Sequence, residues 1–205
     1  FRKILDRHQT RAGFYAHASV GLLHIRPVID LKTDIGVERF AAIASEVADL
    51  VLEFGGALSG EHGDGLVRAP FQERMFGTQL YEAFREIKRT FDPQGLLNPG
   101  KIVNPTRMDD RSLMRYHEGY AALPVTTVLD WSDLGGWAGA TEMCNNNGAC
   151  RKRDAGVMCP SFRATKNEKD LTRGRANTLR LALSGQLGPE ALVAPEMKET
   201  MDLCV

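Results

Sequence analysis

From Gly55 the chain reads Gly-Gly-Ala-Leu-Ser-Gly-Glu-His-Gly-Asp-Gly, ending at Gly65. Glycine loses more backbone freedom on folding than any other residue and weakens helix and strand alike. No regular element runs through this stretch, so the fold must be assembled from elements on either side of it. On the near side, Val37, Phe40, Ala41, Ala44, Val47, Ala48 and Val51 recur at helical spacing, which predicts a helix from about Ile35 to Phe54. Thr33 or Asp34 can cap its start and Gly55-Gly56 supplies its stop. On the far side a short helical piece follows Pro70, and a clearer helix covers Thr78 to Phe91 with Leu80, Phe84, Ile87 and Phe91 along one face. Inside the loop sit a carboxylate, Glu61, an imidazole, His62, and a second carboxylate, Asp64. Glycines around them let the backbone take positive φ and approach a ligand closely. The plain alternative is a polar turn after a helix.

Upstream, residues 1–12 read as the tail of a helix ended by Gly13. Phe14 to His17 and Val20 to Arg26 read as strands joined by a short turn, and Pro27 weakens any further pairing. Alternation along a strand turns His24 away from Leu23 and Ile25. Two histidines on adjoining strands and a loop carboxylate make an N/N/O set, His17, His24 and Glu61. That set suits a divalent ion, zinc before manganese or iron, with open positions for chemistry. Two separate, satisfied histidines are the alternative.

Downstream, Asp92-Pro93-Gln94-Gly95 is a turn, and the stretch from Leu96 to Val103 closes the first region. Residues 104–128 show little periodicity and are expected to form an extended linker with some strand. Gly135-Gly136-Trp137 leads into a cysteine loop. A helix is expected over Leu171 to Leu183, a break at Gly185 to Gly188, and two further helical pieces at Pro189 to Val193 and Pro195 to Leu203.

The four cysteines all fall after Met143: Cys144, Cys150, Cys159 and Cys204. Spacings of C-x5-C and C-x8-C-P, without an export signal, favour a metal or redox centre over a disulfide framework. Thiolates at turns with Cys-Pro last suit an iron–sulfur cluster; zinc and uncoordinated cysteines are the alternatives. Charge excludes other classes. The 26 basic residues balance 26 acidic ones across 205 residues, which gives no electrostatic case for nucleic acid or an anionic membrane. No apolar run is long enough for a membrane span and no signal peptide is visible. A start at Phe1 and an end at Cys204-Val205 read as ends cut from a longer protein.

Three motifs now stand in order. Tyr15-Ala16-His17-Ala18-Ser19-Val20-Gly21-Leu22-Leu23-His24, Gly60-Glu61-His62-Gly63-Asp64-Gly65, and Phe91-Asp92-Pro93 through Leu97-Asn98-Pro99-Gly100-Lys101 resemble the metal, glycine-loop and closing signatures of the FAD-linked D-2-hydroxyacid dehydrogenases. The likeness covers residues 1–104. It departs at Ala18-Ser19-Val20-Gly21, where relatives often have Gly-Asp-Gly-Asn, and at Arg26, where many carry asparagine. The resemblance implies that His17, His24 and Glu61 hold a divalent metal, zinc first. It implies that His62 lies beside substrate and flavin as the catalytic base, and that Asn98 and Lys101 contact the FAD cofactor. Arg26 can grip a substrate carboxylate bidentately or be an ordinary surface arginine.

Gly148-Ala149-Cys150, Met158-Cys159-Pro160-Ser161 and Thr172-Arg173-Gly174-Arg175-Ala176 resemble the ferredoxin-like extension fused to some large members of the family. The standard C-x2-C-x2-C-x3-C-P run is incomplete here, lacking a cysteine in the first motif. Arg173 and Arg175 read as a solvated helix start, with pairing to carboxylates or compensation of cluster charge as alternatives. The resemblance then implies an α+β chain. Residues 1–104 form the C-terminal part of an FAD-linked oxidase substrate domain, 105–130 a linker, and 131–205 the start of a mostly α-helical ferredoxin-like domain with Cys144, Cys150, Cys159 and Cys204 as [4Fe-4S] ligands. The implied activity is oxidation of a small D-2-hydroxyacid, D-2-hydroxyglutarate before D-lactate. Electrons leave through clusters to a quinone or an electron-transfer protein, in the cytoplasm or peripherally at the inner membrane. The reading from another class is a non-catalytic electron-transfer or zinc-binding module.

Overall fold

The computed structural model describes residues 1–154, 156 and 158–204. It has an α+β composition, in which contacts divide the chain into two units, 1–118 and 119–205. Among the described residues no helix is long and apolar enough to cross a membrane.

The first unit opens with α1 (Arg2–Arg7), followed by the antiparallel hairpin of β1 (Ala12–His17) and β2 (Leu22–Pro27). The expected helix over 1–12 ends early for a tertiary reason. The Thr10 hydroxyl donates to the Val28 carbonyl at 2.5 Å and Val28 N–H to the Arg11 carbonyl at 2.8 Å, so strand pairing captures the chain from here. One 3₁₀ turn, Ala18–Val20, reverses the hairpin, and Gly21 leaves it at φ 68°. The register sets Gly13 opposite Arg26, Tyr15 opposite His24 and His17 opposite Leu22. Directly opposed residues share a face of an antiparallel pair, so Tyr15, His17, His24 and Arg26 all project from the same side.

Helix α2 (Asp34–Glu53) starts where Thr33 Oγ1 accepts the Gly36 N–H at 3.1 Å. It stops where Gly55 takes φ 63° and Gly56 N–H closes on the Val51 carbonyl at 2.8 Å. Ile4 and Leu5 of α1 and Val37, Ile43 and Ala48 of α2 are buried. The glycine loop then runs to a 3₁₀ turn at Ala69–Phe71 and to α3 (Gln72–Phe91). Helix α3 is two helical pieces meeting at Gly77, whose φ of 78° and ψ of 160° only glycine adopts readily. The apolar stripe on its second half departs from the amphipathic expectation. Tyr81 is the buried residue, while Leu80, Ile87 and Phe91 are 53%, 57% and 80% exposed.

Asp92 ties the end of α3 to the closing stretch. It accepts N–H bonds from Leu96 at 2.9 Å and Leu97 at 2.8 Å and an ion pair from Lys88. Residues after Asn104 do not form the expected strand among those described. They carry a 3₁₀ turn at Arg111–Leu113, and Arg111 pairs with Asp34 and donates to the His117 carbonyl at 3.0 Å. Backbone bonding there is satisfied by a side chain, which removes the need for a sheet partner.

The second unit holds α4 (Gly136–Glu142), α5 (Pro160–Thr165), α6 (Thr172–Leu183) and α7 (Pro195–Met201). Helices α4 and α6 pack together, and Leu123 N–H reaches the Leu183 carbonyl at 2.6 Å. Pro189 to Val193 is a run of turns, not the expected helical piece. Its bonds span three residues only, as from Ala191 to Gly188.

Candidate metal and substrate site

The hairpin face and the glycine loop meet at Gly60. A Cβ built there would lie 2.4 Å from Leu22 Cδ1, so the absence of a side chain lets the loop rest on β2. Two anchors hold it. The Ser59 hydroxyl donates to the His62 carbonyl, and Asp64 Oδ2 accepts from buried Gln72 Nε2 at 2.7 Å. Glu61 is thereby delivered over the histidines.

Glu61 Oε1 lies 3.0 Å from His24 Nε2 and 3.0 Å from His62 Nε2, and Oε2 lies 3.4 Å from His17 Nε2. One ligand atom from each of His17, His24 and Glu61 falls within 4.8 Å of the others. Among the described residues no second group of three His, Cys, Asp or Glu side chains converges this way. The His24 side chain is 16% exposed, and its Nε2, though near the carboxylate, is a buried atom with no hydrogen-bond partner. A buried imidazole nitrogen left without a partner is costly in a protein interior, and a cation at the centre of the three ligands relieves it. The residues present therefore fit a divalent ion bound by two nitrogens and an oxygen. His17 and His62 are 55% and 66% exposed, which leaves one side open for a small molecule.

Two further side chains share this face. Tyr15 stacks on His24 with ring centres 4.4 Å apart and planes 12° from parallel. Arg26 places its guanidinium 5.3 Å from the Tyr15 ring centre. Tyr15 is the residue that sequence reasoning passed over. Its signal was positional, two residues before His17 and so on the same strand face. Asn98 and Lys101 are exposed, and Lys101 Nζ donates to Asn98 Oδ1 at 3.3 Å, with Asn98 at φ 48°.

In the second unit the four cysteines form no disulfide. Cys150 and Cys159 are buried with Phe162 and Leu171 in one cluster, Cys144 is half-buried and Cys204 is exposed. Cys159 Sγ sits 3.2 Å from the Asp170 carbonyl, and Arg175 Nη1 approaches it to 3.9 Å. Burial pushes the Cys159 thiol up. Backbone N–H bonds from Phe162 and Thr172, the Thr172 hydroxyl and Arg175 outweigh it, and the thiol lies below its usual value. Arg173 pairs with Glu168 at 2.7 Å. Arg175 is not at a solvated helix start, being only 6% exposed.

Residues 1–102 match the family model described as FAD linked oxidases, C-terminal domain. The chain is 37% identical over 202 residues to D-2-hydroxyglutarate dehydrogenase of Haemophilus influenzae, covering 94% of this chain and 19% of the relative. The same-named protein of Pseudomonas putida is 35% identical over 211 residues, covering 97% of this chain and 20% of the relative. That of Escherichia coli K12 is 35% identical over 185 residues, 88% of this chain and 17% of the relative. The chain thus spans about a fifth of the length of the curated relatives it matches. No solved structure matches it. With three sequence motifs, a domain match and relatives aligned through both units, the chain belongs to the family of FAD-linked D-2-hydroxyacid dehydrogenases.

Proposed function

We propose that this chain carries the metal-bearing substrate site of an FAD-dependent enzyme that oxidises a D-2-hydroxyacid, D-2-hydroxyglutarate ahead of D-lactate, to the 2-oxoacid. The observation that carries the reading is the convergence of His17, His24 and Glu61, with the buried Nε2 of His24 making no hydrogen bond. The names of the relatives support the substrate class. Bound FAD supplies the acceptor for the hydrogen on the substrate Cα, and Asn98 and Lys101 are the residues assigned to its contact. His17, His24 and Glu61 hold a divalent ion, zinc by its donor set, which supplies Lewis acidity toward the hydroxyl and carboxylate oxygens. His62 accepts the hydroxyl proton on its imidazole, as a general base placed beside the substrate. Its neighbour Glu61 stabilises the imidazolium that results. Arg26, projecting from the same hairpin face as His24, binds a substrate carboxylate and orients the acid.

The substrate domain occupies residues 1–104. Residues 131–205 begin a ferredoxin-like iron–sulfur segment, with Cys144, Cys150, Cys159 and Cys204 as [4Fe-4S] ligands that take electrons onward to a quinone or an electron-transfer protein. The enzyme works in the cytoplasm or at the inner-membrane surface. Burial of the Cys150 and Cys159 thiols, and the N–H donors around Cys159, support the iron–sulfur part. The test is anaerobic mixing of the FAD-loaded enzyme with each acid. D-2-hydroxyglutarate should bleach the flavin absorbance only with the divalent metal present, and D-lactate should do so more slowly. No hydroxyacid-dependent bleaching in the metal-replete enzyme would refute the proposal.

A further inference from the structure

Arg175 is a buried cation that makes no ion pair among the described residues, although the acidic residue Asp170 is buried beside it. Its Nε donates to the Thr200 carbonyl at 3.0 Å and Nη1 to the Asp170 carbonyl at 2.8 Å, while Nη2 is buried with no hydrogen-bond partner. Carbonyl dipoles satisfy N–H groups but do not neutralise a charge. Guanidinium cannot shed its proton to escape the cost of burial. Of the carboxylates nearby in sequence, Glu168 pairs with Arg151 and Arg173 and Glu199 with Lys169. Among the described residues no ion pair forms at Arg175. The polar side-chain atom it does approach, at 3.9 Å, is Cys159 Sγ.

The local fold keeps it there. A Cβ at Gly174 would lie 2.0 Å from the Glu168 carbonyl oxygen, so only glycine lets the first turn of α6 press onto the segment that carries Asp170. That contact places Arg175 beneath Cys159, where Phe162, Leu171 and Cys150 exclude water. In such surroundings a fixed charge acts at far less than the screening of bulk water.

We infer that Arg175 is a positioning residue for the centre that Cys159 ligates: its buried charge offsets the negative charge of the thiolate and of the iron–sulfur group, and so favours the reduced form. This rests on the iron–sulfur reading above. Reduction adds an electron beside a fixed cation, so removing the cation makes reduction harder. The test uses anaerobically purified protein with Arg175→Met and Arg175→Lys. Measurements are iron and acid-labile sulfide per chain, a redox titration followed by electron paramagnetic resonance, and circular dichroism to establish folding. The expected result is a centre in the native protein that becomes at least tenfold harder to reduce in the methionine variant, about 59 mV for a one-electron couple. The lysine variant should fall between the two. If the methionine variant loses the centre, retention in the lysine variant supports the charge role and loss in both folded variants overturns it. If the methionine variant does not fold, the uncharged Arg175→Gln takes its place: a centre harder to reduce supports the inference and a native potential overturns it. Equal iron, sulfide and potential in all three proteins overturns the role of Arg175 and leaves the cluster standing. A native protein that binds neither iron nor sulfide overturns the iron–sulfur reading itself.

Discussion

Replacing Glu61 by glutamine isolates the charge of the loop carboxylate. The amide keeps the shape and one oxygen, and the Glu61 side chain is 34% exposed, so the fold should tolerate it. Metal binding should not. A carboxylate oxygen coordinates zinc at about 2.0–2.2 Å. At that separation a unit charge and a divalent ion attract by about 4 kcal/mol even with the screening of bulk water. The amide oxygen retains part of this through its dipole, which leaves a loss of about 2–4 kcal/mol, or about 30- to 1,000-fold in affinity. His17 and His24, with rings 5.0 Å apart, remain as a two-nitrogen site. The assay is competition for zinc against a chromophoric chelator, with thermal unfolding of the metal-free proteins as the control. An affinity within threefold of native, in a variant that melts normally, would refute Glu61 as a ligand.

For His62, the alanine variant of the FAD-loaded enzyme should lose about 10²–10⁴-fold in turnover while zinc affinity and melting temperature stay near native; turnover within a few-fold of native would remove it from the proton transfer. Asp92 predicts an acid-labile joint at the end of α3. Lys88 foremost, then the Leu97 N–H, burial opposing and the Leu96 N–H helping, hold its carboxyl down at about 2 from an ordinary 3.8. A carboxyl depressed in the folded state contributes stability that is complete above about pH 4 and lost as pH falls through 2. Denaturant midpoints measured from pH 5 to pH 2 should therefore fall more steeply in the native protein than in Asp92→Asn, and parallel curves would contradict the joint.

The residues show which parts of this architecture are local. Thr33, the apolar spacing from Val37 to Val51 and Gly55-Gly56 specify α2 and both of its ends without reference to anything distant. The hairpin face was equally legible, because a period of two fixes His17 and His24 once the turn between them is short. Tyr15 against His24 needed the register itself, which depends on the 3₁₀ turn at Ala18–Val20. Other features depend on partners far along the chain. The hydroxyl of Thr10 and the backbone of Val28 cut α1 short, and Arg111 ties the stretch after Asn104 to Asp34 at the start of α2. Periodicity in Leu80, Ile87 and Phe91 reports a shared face but not what lies against it. Arg175 looked like any charged residue in a helix start. Its burial comes from Gly174 and from carbonyls at Asp170 and Thr200, which no local pattern reveals.

The central claim is that one divalent ion sits between the hairpin and the glycine loop. Zinc-edge X-ray absorption on protein loaded with one equivalent of zinc tests it most directly. The predicted shell contains two imidazole nitrogens and a carboxylate oxygen at about 2.0–2.2 Å, with no sulfur, and loses imidazole scattering in His24→Ala. A shell dominated by sulfur at about 2.3 Å, unchanged in that variant, would place the ion among the cysteines and contradict the assignment.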